Sequence, residues 1–124
     1  MVDPIQLTVE VVAEALQTVP VSTEIPSTAA HPAAQPERFV VVTLEGMQDD
    51  GFLAVANVSL TVWGLSDRDA FGMATAAADA LREESLTHPY LSAAQLETLT
   101  RDEWTSTGQA RYFARMQLTI NTDE

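Results

Sequence analysis

The stretch RFVVVTLEGMQDDGFLAVANVSLTVWG, residues 38–64, decides the fold. Its first part, Arg38 to Glu45, is crowded with β-branched residues that fit a pleated, half-buried surface. Its last part, Phe52 to Gly64, alternates Val58, Leu60 and Val62 with Asn57, Ser59, Thr61 and Trp63. Between them, Asp49-Asp50-Gly51 is turn chemistry, since Asp bonds its own backbone locally and Gly accepts a left-handed φ. Two strands around a turn, apolar on one face, predict an antiparallel hairpin with one side buried.

Working outward, Ser66-Asp67-Arg68-Asp69 opens a helix by a Ser-x-x-acid cap, with acids in the positive first turn. Phe71, Ala74, Ala78 and Leu81 form its expected inward stripe, and Pro89 ends any continuation through His88. Upstream, Asp3-Pro4 starts a helix spanning Ile5 to Thr18, with Ile5, Val9, Val12 and Leu16 at helical spacing. Val19 to Ile25 reads as a short strand in which Pro20 must lie at an edge or at the strand's start. The segment from Ser22 to Pro36, with Pro26, His31 and Pro32, reads as a Pro-rich loop; Gly46 to Gly51 reads as a second loop. Downstream, Gln95 to Thr105 and Arg111 to Thr122 predict a second hairpin around Ser106 to Gln109, with a helical turn at Ser92 to Leu96 as the alternative for that segment. The expected fold is α+β in the order α-β-β-β-α-β-β. It is a single domain over residues 1–124, a mostly antiparallel sheet of four to five strands with two helices on one face.

Composition narrows the function. The chain has 124 residues, a length that fits one domain, and 46% hydrophobic content, the ordinary globular level. Eighteen acids face six arginines and no lysine, a net charge of −12. That balance argues against binding DNA by phosphate neutralisation and against docking on anionic membranes. No apolar run approaches the length of a spanning helix, and Asp3 and Glu10 stand where a signal peptide would carry basic residues. Without cysteine there is no disulfide, zinc-thiolate cluster or thiol nucleophile.

Catalytic, metal and cofactor sites are not expected. His31 and His88 have no second ligand at metal spacing within their own elements. No nucleophile elbow, phosphate loop or dinucleotide fingerprint occurs. The adjacent carboxylates Asp49-Asp50, Glu83-Glu84 and Asp102-Glu103 cannot face one another across a cleft as acid and base must. The informative oddity is the sheet face away from the helices. It carries Phe39, Val41, Trp63 and Phe113 among Arg111 and Arg115, the aromatic and arginine mixture of a protein contact. On this reading Trp63, Phe113 and Arg115 become buried only upon assembly.

Taken together, these features resemble the tail terminator (tail completion or minor tail) proteins of long-tailed bacteriophages. The resemblance runs through the opening helix, the Pro-rich stretch to Pro36, Arg38-Phe39-Val40-Val41-Val42, Asn57 to Gly64, Ser66-Asp67-Arg68-Asp69-Ala70 and Ala110 to Ile120. It implies a virion protein that assembles in the host cytoplasm into a hexameric ring at the head-proximal end of the tail tube. Its implied partners are further copies of itself, the tail tube protein and the head-tail connector or neck protein. Double-stranded DNA passes through the lumen without specific binding, and no cofactor or membrane is involved. Phe39, Val41, Trp63, Arg111, Phe113 and Arg115 become candidate contacts to another subunit or to a partner protein. Asp49, Asp50, Pro26, His31 and Pro32 become candidate loop contacts to tube, connector or lumen. A neck stopper subunit is the nearest alternative. An acidic adaptor that sequesters a basic partner, or a small hydrolase using His88, belongs to other classes.

Overall fold

In a computed structural model, which describes residues 3–24, 38–49, 51–104 and 109–121, the hairpin forms the middle of the molecule. The elements are α1 (Pro4–Ala15), β1 (Val21–Ser22), β2 (Phe39–Asp49), β3 (Leu53–Gly64), α2 (Asp67–Glu84), β4 (Leu91–Trp104) and β5 (Gln109–Asn121). They build one five-stranded sheet in the order β1-β2-β3-β5-β4, with β1 parallel to β2 and the other pairs antiparallel. Both helices pack on the face that carries Val40, Val42, Val58, Leu60, Val62, Ala114, Met116, Leu118 and Ile120, all buried.

Each helix starts as its capping residues dictate. The Asp3 carboxylate accepts the Ile5 and Gln6 N–H groups at 2.9 and 3.4 Å, and Pro4 opens α1 where no donor is needed. The buried hydroxyl of Thr8 donates to the Pro4 carbonyl at 2.7 Å, which satisfies it inside the core. Helix α1 stops at Ala15, before the expected Thr18. A tight turn follows, with Val19 N–H donating to the Leu16 carbonyl at 2.8 Å, because Pro20 turns its predecessor away from helical backbone. The strand expected over Val19 to Ile25 is the two-residue β1 at the sheet's edge, as far as the described residues reach.

In α2 the expected inward residues Ala74, Ala78 and Leu81 are buried, and Phe71 is the exception. Ala70, Met73 and Ala77 are buried with them, whereas Phe71 is 46% exposed and lies edge-on to Tyr112 at 5.6 Å. The helix begins almost in contact with the end of β3. A Cβ on Gly64 would lie 2.6 Å from the Ala70 nitrogen, closer than atoms approach, so only glycine fits beneath this turn. Asp69 closes the junction. Its carboxylate accepts Leu65 N–H at 2.9 Å and both Arg38 Nε and Nη2, at 3.1 and 3.0 Å, while its own N–H donates to Ser66 Oγ at 3.1 Å.

Two loop expectations are corrected. Residues 46–49, expected in a loop, continue β2, and one irregularity between Leu44 and Gly46 absorbs an extra residue, Glu45. The turn keeps Asp49, whose carboxylate accepts Gly51 N–H at 2.8 Å, and Gly51, at φ +95°. Residues 92–96 form strand, not a helical turn, and β4 begins at Leu91. Register shifts at Leu91/Ala93 and Leu96/Thr98 put Leu91, Ala94, Leu96 and Leu99 opposite inward residues of β5, a spacing that hides the two-residue period. Pro26, His31, Pro32 and Asp50, most of the Pro-rich segment, and residues 105–108 of the second turn lie outside the described residues.

The junction yields two stability predictions. Gly64→Ala forces backbone apart and costs about 1–3 kcal/mol, the range for overpacking. Ser66→Ala removes the cap at a cost of about 1 kcal/mol. Urea midpoints measure both, and an unshifted midpoint for Gly64→Ala would mean that α2 does not rest on β3 as described.

Candidate functional site

The antiparallel register sets the second sheet face out in rungs. One rung runs Phe39, Trp63, Arg111, Asp102 across β2, β3, β5 and β4; the next runs Val41, Thr61, Phe113, Thr100; a third runs Thr43, Ser59, Arg115, Thr98. All the candidate contact residues read from the strands therefore share one face.

Along the first rung each side chain leans on the next. The Phe39 and Trp63 rings stack with centroids 4.3 Å apart and planes 14° from parallel. The Arg111 guanidinium carbon lies 5.6 Å from the Trp63 ring, and Arg111 Nη2 donates to Asp102 Oδ2 at 2.6 Å. A guanidinium over an indole contributes about 0.5–1 kcal/mol where water reaches it, and the ion pair adds at most a similar amount. On the third rung, Arg115 pairs with Glu45 at 2.7 Å and its guanidinium carbon lies 5.9 Å from the Phe113 ring. Glu45 follows Phe39, Val41 and Thr43 at two-residue spacing, which places it on this face beside Arg115.

Burial divides the face. Phe39, Val41 and Trp63 form a second apolar cluster, exposed by only 0%, 8% and 2%. Trp63 is thus already buried in a lone chain, which corrects the expectation that assembly alone covers it. Its stacking on Phe39 and the guanidinium beside it account for part of that cover. Arg111, Phe113 and Arg115 stay half-buried. Beside Arg115 a depression of about 300 Å³ is lined by Glu45, Gly46, Asn57, Glu97 and Arg115. Its lining is two carboxylates around a guanidinium, suited to a polar contact with a partner surface.

The remaining candidates are placed apart from this face. Asp49 is exposed at the end of the first hairpin and occupied by its turn bond to Gly51. The His88 ring accepts Tyr90 N–H at Nδ1, 3.1 Å, in the turn leading into β4. Among the described residues no three His, Asp or Glu side chains gather in a way that could hold a metal ion, and no helix is long and apolar enough to cross a membrane. Sequence reading missed Glu45 and Asp102 as the arginines' carboxylate partners. The signal was available only through register, since Asp102 faces Arg111 across a hairpin and Arg115 lies two strands from Glu45.

No protein-family model matches the chain, and no curated protein matches it. Among solved structures it is similar to a chain of the virion of a native gene transfer agent (GTA) particle. The TM-score is 0.60 at 17% identity, over 94% of this chain and 91% of that one. At that identity the shared property is the fold.

Burial of the aromatic pair makes Trp63 a stability residue. Trp63→Ala is expected to cost about 3–5 kcal/mol in the isolated chain, against well under half of that for half-buried Phe113→Ala. Equal losses in chemical denaturation would return Trp63 to the exposed surface.

Proposed function

We propose that this chain is a structural virion subunit of the phage tail terminator type. It forms a ring at the head-proximal end of the tail tube, stops tube growth and joins the tail to the head connector. The observation that carries this reading is the likeness of fold, over nearly the whole length of both chains, to a chain of a gene transfer agent virion. The residues read from the sequence support the same role. A net charge of −12 lets DNA slide through a lumen without adhering. The half-buried Arg111, Phe113 and Arg115 offer an adaptable contact surface held in place by the buried Phe39, Val41 and Trp63. Catalysis has no part in this role.

In a ring, one patch must match a different patch on the neighbour after a fixed rotation. The rung face is proposed as a contact surface for a neighbouring copy or a partner protein. Asp49 and Asp50, together with the segment holding Pro26, His31 and Pro32, are the proposed contacts to tube, connector or lumen.

Particles made without the gene test the reading in negative-stain electron microscopy. Full heads beside free tubes of uncontrolled length are expected. Tails of normal length beside unjoined heads would reassign the chain to the neck, and normal virions would discard the structural role. Reversing Asp49 and Asp50 to Lys is expected to impair tail joining while costing the fold no more than the Asp49 turn bond, about 1 kcal/mol. Normal joining by that variant would remove these acids from the contact.

A further inference from the structure

Among the described residues the sheet has an unpaired stretch along each edge, β2 beyond β1 on one side and β4 on the other, and the two are of opposite polarity. β2, β3, β5 and β4 alternate in direction across the sheet, so β2 at one edge is antiparallel to β4 at the other. A copy rotated about an axis along the strands keeps its strand directions. Its β4 beside the first copy's β2 would then continue the alternation without a break.

The hydrogen-bond parity shows which groups such a neighbour would meet. Val40 N–H points away from β3, to the Pro20 carbonyl at 2.9 Å. Alternate residues of a strand turn their N–H and C=O to opposite sides. Carrying that alternation through the register, Leu44 and Met47 on β2 and Leu96 and Leu99 on β4 turn theirs outward. Among the described residues β1 reaches only Val40 and Val41, and β4 pairs with β5 alone.

A second observation falls on the same residues. Leu44 and Met47 are 41% and 38% exposed, and Leu96 and Leu99 are packed only in part against the core. All four side chains lie on the helix-bearing face, two along each edge. An edge left open in a lone chain is ordinarily blunted by Lys or other charges, by Pro or by bulges. These stretches contain no Lys or Pro, while each carries one irregularity, at Leu44/Gly46 and at Leu96/Thr98, and acidic residues beside the apolar ones. One edge meeting the other would satisfy the outward backbone groups of both and bring the two apolar pairs together. A foreign strand would leave one edge bare.

We infer that copies of this chain join edge to edge, the free stretch of β2 in one copy pairing antiparallel with β4 of the next. The subunit sheets thereby merge into one closed sheet. Because β1 occupies the start of β2, the neighbour's β4 is shifted along the strand towards Leu44 and Met47, the kind of stagger a closed barrel requires. The inference rests on the ring-subunit reading and names how its subunits meet.

Hydrogen exchange on the full chain tests it, with native mass spectrometry reporting the state of assembly. Between dilute monomer and assembled form, the amides of Leu44, Met47, Leu96 and Leu99 are expected to slow by about a hundredfold or more. Leu44→Pro and Leu99→Pro each remove one outward donor, and each is expected to leave a folded monomer by circular dichroism. A wild-type chain that stays monomeric at every concentration overturns the inference. So does an assembly in which those four amides exchange as in the monomer, even when a variant fails to fold. Normal association of folded Leu44→Pro overturns it too, because a β4-to-β4 dimer would not use Leu44. These outcomes concern how copies meet, whereas the particles lacking the gene test the virion role separately.

Discussion

The absence of a side chain at Gly64 is the constraint on which the arrangement rests. It allows the first turn of α2 to sit on the end of β3, with Ala70 where any other residue's Cβ would collide. Asp69 then joins three elements through one carboxylate: the start of β2 at Arg38, the end of β3 at Leu65 and its own helix. With the helix start fixed there, its small residues Ala70, Ala74, Ala77 and Ala78 face the sheet, and the chain is delivered across it to β4 at the far edge. β5 then returns between β3 and β4, and that return places Arg111 and Arg115 beside Trp63 and Ser59.

Much of this was legible in the chain itself, and the places where it was not share a cause. The long alternation from Asn57 to Trp63 and the Ser66 cap announced β3 and α2 because local pattern and final environment agree. The extension of β2 past Glu45 and the start of β4 at Leu91 were hidden by irregularities. Each inserted residue reverses which side chains face inward, so the two-residue rhythm fails locally while the strand continues. Phe71 misled for a different reason. Hydrophobicity placed it inward, but Ala70 and Ala74 take the positions nearest the sheet in that turn, and the Phe71 ring rests on Tyr112 at the margin.

The candidate face was legible in membership but not in depth. Period-two reasoning correctly puts Phe39, Val41, Trp63, Arg111, Phe113 and Arg115 on one side, since register alone decides that. It carries no information on what lies above a residue. Trp63 and Phe39 are buried in a cluster of their own, so this side of the sheet is a second small core grading into a polar surface.

The ion pairs carry one more consequence. Arg38, Arg82, Arg101, Arg111 and Arg115 each hold a carboxylate of their own chain: Asp69, Asp79, Asp67, Asp102 and Glu45. With no lysine in reserve, little cationic charge is left to face outward, and the field between approaching copies is set by surplus acid. Copies of this chain therefore meet as like-charged particles, and the encounter rate rises with ionic strength. At physiological salt the Debye length shrinks to about 8 Å, and short-range apolar and backbone contacts can act once that barrier is crossed. In the proposed ring, the protein's own charge would act as a kinetic brake on premature self-association, one that the surrounding electrolyte releases.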